Sequence, residues 1–166
     1  MEYRGDQRDL SALIDQYGNC VLHTAYHYLK EKQLAEDVFQ NVFLAAYLKM
    51  DTFHGDSSIK TWLIRITINQ CKDVLKSAYQ KQVNVGLEEV ACISESAEQI
   101  ALENIENERL YQSVMALKPD YREVILLRYY HQLAPGEIAQ VLQLSNGTIR
   151  TRLSHSHLEE NFNLIR

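Results

Sequence analysis

PGEIAQVLQLSNGTIRTRL, residues 135–153, is the stretch that decides the fold of the last third of the chain. Apolar residues within 138–142 have the spacing of one buried helix face. Ile149 and Leu153 lie four residues apart and anchor a second helix to the same core. Ser145 stands just before that helix, where its hydroxyl can cap the first free N–H groups. The pattern predicts two short helices joined by a tight turn, a helix-turn-helix.

The outer face of the second helix is polar and basic. Arginine can bond guanine edges in the major groove, and threonine and asparagine can reach bases or phosphates. The pattern therefore favours DNA binding, while an ordinary helical hairpin with solvated arginines stays open as the alternative. The candidate DNA-reading residues are Asn146, Thr148, Arg150, Thr151, Arg152 and His155.

Working outward, three amphipathic stretches fill the first half of the chain. Apolar residues recur at helical spacing in 10–21, 35–47 and 59–74, and three helices of this size can close a small core. Residues 51–58 read DTFHGDSS, a polar loop in which Ser57 or Ser58 can cap the third helix. Trp62, the only tryptophan, is either a core residue or an exposed aromatic that stacks on an unpaired base.

Composition restricts the class of protein. The 166 residues are 46% hydrophobic with only 2 Pro and 6 Gly, which suits an all-α fold. The longest apolar run, 42–48, is far shorter than the ~20 residues of a membrane span. We therefore expect no membrane insertion. Three widely spaced cysteines and a polar N-terminus predict a cytoplasmic protein.

The acidic residues are concentrated in one segment. The net charge is −5, yet residues 82–110 alone carry −6, so the rest of the chain sums to +1. Such a segment is typical of a solvated linker. We expect two domains, 1–78 and 105–166, separated by an acidic linker over 79–104.

Neither a metal site nor a catalytic site is predicted. Cys20, His23 and His27 share one side of the first helix, but no CxxC supports a zinc site. The neighbourhoods of Gly55 and Gly86 match no nucleotide-binding loop. We expect no cofactor and no enzymatic activity.

Longer motifs on either side of the linker identify a family. The end of the chain resembles domain 4 of extracytoplasmic-function sigma factors. The resemblance lies in LKPDYREVILLRY at 117–129 and in residues 133, 137–139 and 146–153. LAEDVFQNVFL at 34–44 resembles the core-binding helix of their domain 2. Phe53, TWLIRI at 61–66 and Asn69 resemble the promoter-melting segment of that domain.

The resemblance implies a two-domain, all-α sigma factor: a three- or four-helix domain 2, a flexible linker and a helix-turn-helix domain 4. Its partners are then the β′ clamp and β flap of core RNA polymerase, promoter DNA and an anti-sigma factor. Domain 4 reads the −35 duplex. The polar residues implied for binding core are Glu36, Asp37, Gln40 and Asn41, with Leu44. Those implied for capturing the −10 strand are Phe53, His54, Ser57, Lys60, Trp62, Arg65, Asn69 and Lys72.

Three departures from the family pattern bear on DNA binding. Only Lys72, Lys76 and Lys81 remain of a basic run that usually follows the Trp helix, and residues 154–161 lack the usual Arg and Lys. Ala134 replaces the usual Ser or Thr cap, a loss worth about 0.5–2 kcal/mol unless Pro135 offsets it. Two alternatives stay open, a stand-alone helix-turn-helix regulator and a degenerate, purely protein-binding sigma relative.

Overall fold

The first half of the chain forms three α-helices in this computed structural model, which describes residues 7–85 and 112–156. Helix α1 spans Gln7–Leu29, α2 spans Lys32–Lys49 and α3 spans Ile59–Val85. Each coincides with one of the three amphipathic stretches, which confirms the helical bundle. Within the described ranges no residue is in a β-strand, as the all-α class requires.

The core of this bundle comes from the three amphipathic stretches, but on α3 it is displaced from the expected face. Of the expected inward residues Ile59, Trp62, Leu63, Ile66 and Val74, only Leu63 is buried, and Ile64, Ile68 and Cys71 take the core positions. Val21, Val42, Ile64 and Ile68 are completely buried, and Phe39 and Phe43 pack with ring centroids 5.0 Å apart. Two buried threonines satisfy their hydroxyls within their own helices. Thr24 Oγ1 donates to the Cys20 carbonyl and Thr67 Oγ1 to the Leu63 carbonyl, each at 2.7 Å. The hydroxyl groups of these two buried threonines are therefore satisfied.

One end of the predicted apolar stripe is wrong. The stripe on α2 was expected to run from Ala35 to Tyr47, but it ends at Ala46, because Tyr47 is 40% exposed. Leu44 and Leu48 are exposed as well, so the last turns of α2 present apolar side chains to solvent.

The segment between α2 and α3 is shorter than the loop expected at 51–58. Asp51 and Thr52 belong to a 3₁₀ turn, Met50–Thr52, that follows α2 directly. The loop proper then turns at Gly55, whose φ of 79° favours glycine. Ser58 caps α3, since its Oγ accepts from the Thr61 N–H at 3.1 Å.

The second unit contains the helix-turn-helix. Residues 112–115 are helical, α4 spans Pro119–Ile125, α5 spans Pro135–Leu142 and α6 spans Asn146–His155. Its core joins residues from α4, α5 and α6, all nearly or fully buried: Val124, Ile125, Ile138, Val141, Ile149 and Leu153. The inward residues expected from 138–142 and from α6 are thus confirmed.

The chain after α4 continues in a wider helical turn. Residues Leu126–Tyr130 form a π-helical turn, in which the His131 N–H donates to the Leu126 carbonyl at 3.1 Å. The Arg128 guanidinium then donates to the Leu133 carbonyl at 3.1 Å. This arginine ties down the connection that leads into α5.

Helix α3 continues to Val85, beyond the expected domain boundary at 78. The two described units lie on either side of residues 86–111. Most of the predicted acidic linker falls outside the described residues, and the boundaries stay a prediction.

Burial of Cys71 on α3 gives a testable prediction. Burial raises the pKa of the Cys71 thiol to about 12, from 9.0. Between these values the unfolded chain loses the proton first, so stability falls as pH rises above 9. At pH 8 the thiolate fraction is about 1,000-fold lower in the folded chain than in the unfolded one. The test alkylates Cys71 in a Cys20→Ser, Cys92→Ser background and follows the product by mass spectrometry. We expect the rate to be at least about 1,000-fold lower in buffer without urea than in urea that unfolds the chain. Equal rates with and without urea would disprove the burial.

Candidate functional site

Helix α6 is held by its cap and by its buried face. Ser145 Oγ accepts from the Thr148 N–H at 3.1 Å, which confirms the predicted cap. Ile149 and Leu153 are buried, and Thr151 lies opposite them on the helix, exposed. The polar side of α6 therefore faces away from the core of its unit.

The turn before α6 is tight. Gln143 ends α5 in the left-handed region with φ of 56°, and the Leu144 N–H donates to the Ala139 carbonyl at 3.0 Å. At the start of α5, the Glu137 carboxylate accepts from the Ala134 N–H at 2.8 Å. This bond supplies half of a capping box, the half that does not need a hydroxyl at position 134.

The six predicted DNA-reading residues are not equivalent in the structure. Asn146, Arg150, Thr151 and His155 are exposed. Thr148 is half-buried, and its hydroxyl is hydrogen-bonded to that of Ser145. Arg152 differs from all of these. Its Nη2 lies 3.3 Å from Asp120 Oδ2 on α4, and its side chain is only 21% exposed.

The residues predicted to bind core form one side of α2. Asp37, Gln40, Asn41 and Leu44 follow helical spacing and are exposed, and Leu44 reaches 58% exposure. Glu36 is half-buried at the border of this side. Gln33 Nε2 donates to Asp37 Oδ1 at 3.3 Å, which orients that carboxylate.

Sequence reasoning missed two residues of the same side. Leu48 lies one turn beyond Leu44 and is 70% exposed, and Tyr47 borders it at 40%. Their exposure could have been predicted from the sequence, because helical spacing places residues 44 and 48 off the stripe formed by Val38, Val42 and Ala46. We call Asp37, Gln40, Asn41, Leu44 and Leu48 the α2 face.

A second exposed side lies on α3. Trp62, Arg65, Asn69 and Lys72 are separated by three, four and three residues, so they share one side of the helix. Arg65, Asn69 and Lys72 are exposed, and Lys76 continues the row. We call Trp62, Arg65, Asn69, Lys72 and Lys76 the α3 face.

The sequence left two alternatives for Trp62, a core residue or an exposed aromatic, and the structure gives it part of each. It is half-buried and packs against the bundle core, and its ring centroid lies 5.1 Å from that of Phe53. Phe53 is also half-buried, at the start of the loop that contains exposed His54 and half-buried Ser57. The structure thus groups Phe53 with the tryptophan end of the α3 face.

Lys60 is not grouped with the α3 face. It leaves α3 on the other side, close enough to Cys20 on α1 to act on its thiol. Burial raises the pKa of Cys20, and the Lys60 charge offsets part of that rise. The predicted −10 contact of Lys60 stays untested.

Among residues 7–85 and 112–156, no three His, Cys, Asp or Glu side chains come together in a way that fits a metal ion. No helix in those ranges has the length and apolar character to cross a membrane.

Known proteins resemble the chain in both units. Residues 13–80 match the family described as Sigma-70 region 2, and residues 107–156 match Sigma-70, region 4. The RNA polymerase sigma-H factor of Pseudomonas aeruginosa is 31% identical over 160 residues, covering 90% of this chain and 83% of that protein. The ECF RNA polymerase sigma factor SigW of Bacillus subtilis is 29% identical, covering 90% and 86%.

Solved structures agree on the fold. The sigma factor RpoE of Bartonella quintana, determined with the anti-sigma factor NepR, superposes with a TM-score of 0.70 at 22% identity, covering 96% of this chain and 99% of that one. CnrH, determined with the cytosolic domain of CnrY, superposes with a TM-score of 0.64 at 23% identity, covering 96% and 90%. The matches to region 2 and region 4 occur in the expected order and cover most of the chain, and they establish the family. The chain belongs to the extracytoplasmic-function group of sigma-70-type RNA polymerase sigma factors.

Proposed function

We propose that this chain binds core RNA polymerase and directs it to a defined set of promoters. One observation carries the proposal: the two sigma-70 regions occur in order, each on a folded unit with an exposed face of suitable chemistry. The units correspond to the proposed domains 1–78 and 105–166. The chain acts by binding and carries out no covalent chemistry. It works in the cytoplasm, where core polymerase and promoter DNA are found.

The α2 face is the proposed contact to the β′ clamp of core. Its carboxylate and amides suit basic and polar partner side chains, which fix orientation and favour the right partner. Leu44 and Leu48 add apolar area in the middle of that polar side, and buried apolar anchors supply most of the binding energy of an interface. The second domain contacts the β flap in the same proposal.

The α3 face and the loop before it are the proposed −10 site. Trp62 and Phe53 offer aromatic surfaces for an unstacked base, and stacking of this kind is worth about 1–3 kcal/mol per base. Arg65, Lys72 and Lys76 supply cations for the phosphates of the melted strand. The loop residues His54 and Ser57 supply polar groups that can bond the edge of an extruded base.

Helix α6 is the proposed −35 reader. A recognition helix lies in the major groove with its exposed side toward the base edges. Asn146 begins α6, and Arg150 and Thr151 lie in the middle of its exposed side. His155 lies at the other end of the same exposed side. An anti-sigma protein that masks these faces is the proposed regulator, because the structural neighbour RpoE of Bartonella quintana was determined in complex with an anti-sigma factor.

Reconstitution tests the proposal. Purified chain and core polymerase are mixed, and the complex is measured by size-exclusion chromatography with light scattering, followed by run-off transcription. We expect a 1:1 complex that initiates on some promoters. A chain that binds DNA as a dimer and leaves core unbound is a stand-alone regulator. A 1:1 complex that initiates on no promoter is the degenerate relative. Either result refutes the proposal.

Replacing Arg150 by Ala tests the −35 assignment. A bidentate arginine contact discriminates bases by about 1–3 kcal/mol, so we expect −35 dependence to fall by about 5- to 150-fold. The measurement compares run-off from a cognate promoter and from one with a scrambled −35 element. Lys118→Ala removes one charge from the same unit outside α6 and serves as the control. Unchanged promoter selectivity in Arg150→Ala would refute this role for α6.

A further inference from the structure

The two arginines of α6 leave the helix on opposite flanks. Residues two apart on an α-helix differ by about 200° in direction. Arg150 therefore projects to one side of the central Thr151 and Arg152 to the other. Arg150 is exposed, whereas the side chain of Arg152 is only 21% exposed and reaches back toward α4.

Asp120 determines where Arg152 goes. Its Oδ2 accepts from Arg152 Nη2 at 3.3 Å, across 32 residues of sequence. Asp120 lies in the first turn of α4, where the helix dipole favours a negative charge. The carboxylate is 70% exposed, so the pair is accessible to a competing anion such as a DNA phosphate.

We propose that Asp120 is a specificity-determining residue, which holds Arg152 against α4 and away from the DNA backbone. The inference rests on the proposed function, because it concerns the −35 contact. Arg152 then links α6 to α4 through its ion pair with Asp120, and it does not make the DNA contact that was expected from the sequence. Base recognition is left to the exposed part of α6, with Arg150 as its cation.

The physical reason is the division of work between phosphate and base contacts. Phosphate contacts add affinity for every sequence, while base contacts discriminate between sequences. A guanidinium that is paired with a carboxylate adds little to the affinity that phosphate contacts give for every DNA sequence. Because a pair this exposed is weak, worth up to about fivefold in an equilibrium constant, its removal changes binding moderately without unfolding the unit.

Asp120→Asn is the direct test. Holoenzyme of the full chain is titrated with a duplex that carries the cognate −35 element and with a scrambled duplex, in a series from about 50 to 200 mM salt. We expect binding to the scrambled duplex to tighten about threefold at the lowest salt. The slope of log K against log salt is expected to become steeper by about 0.9, the value for one added phosphate contact. The cognate-to-scrambled ratio is expected to fall.

Two further variants separate the release of Arg152 from direct repulsion of DNA by the Asp120 charge. Asp120→Glu keeps the charge and is expected to behave like the parent chain. In an Arg152→Gln background, Asp120→Asn is expected to change nothing, because no guanidinium is left to release. An equal effect in that background would show that Asp120 acts by its own repulsion of DNA and would overturn the inference.

The remaining outcomes are equally decisive. Unchanged or weaker binding of the scrambled duplex by Asp120→Asn overturns the inference and leaves the proposed function intact. Failure of the parent chain to form a holoenzyme is seen before DNA is added. That failure overturns the proposed function and the inference with it.

Discussion

Ile149→Ala is expected to unfold the second unit while the first stays folded. Ile149 is completely buried where α6 meets the rest of its unit. Truncation of a buried isoleucine to alanine costs about 2–5 kcal/mol, and a unit this small has little stability in reserve. We expect the variant to lose −35-dependent transcription and the proposed β flap contact, and still to bind core, more weakly, through the α2 face.

The single tryptophan makes this prediction measurable in the full chain. Trp62 lies in the first unit, so its fluorescence reports unfolding of that unit alone, whereas far-UV circular dichroism reports both. In urea titrations, Ile149→Ala should shift only the transition that fluorescence does not follow. Ile149→Val, which costs about 0.5–1.5 kcal/mol, is the matched control. A shift of the fluorescence transition, or no shift in dichroism, would contradict the assignment of Ile149 to an independent core.

Leu44→Arg is expected to weaken binding to core polymerase by at least about 30-fold. Truncation of a hot-spot residue near the centre of an interface costs about 2 kcal/mol or more, and Leu44 is proposed as such a residue. A cation there adds repulsion toward the basic side chains that Asp37 and its neighbours are proposed to meet. The fold should be unaffected, because Leu44 is 58% exposed.

The measurement is competition between unlabelled variant and fluorescently labelled parent chain for core. Leu75→Arg is the control, since Leu75 is also exposed, at 39%, on α3 and away from the α2 face. The control should compete like the parent chain. Competition by Leu44→Arg within about twofold of the parent would remove the α2 face from the interface.

Local pattern predicted the helices and their caps well. Helical spacing of apolar residues located the bundle and the helix-turn-helix, because each helix must bury one side. Ser145 was predicted as a cap, and Ser58 was one of two candidates with Ser57, because a hydroxyl before a helix can accept from its free N–H groups. These features depend on neighbours a few residues away.

Features that depend on distant or backbone contacts were not predicted. The π-helical turn at 126–130 shifts backbone hydrogen bonds by one residue, and side-chain periodicity carries no sign of that shift. The Asp120–Arg152 pair joins residues that only the packing of α4 against α6 brings together. Tyr47 was assigned to the core because an apolar residue at the end of a stripe looks the same whether or not another helix covers it.

Mapping the transcription start sites of holoenzyme reconstituted from this chain and core tests the central claim most directly. A library of genomic fragments is transcribed, and the 5′ ends of the products are sequenced. We expect discrete start sites that share two upstream elements, and core polymerase alone should lack them. Start sites identical to those of core alone would contradict the claim that this chain selects promoters.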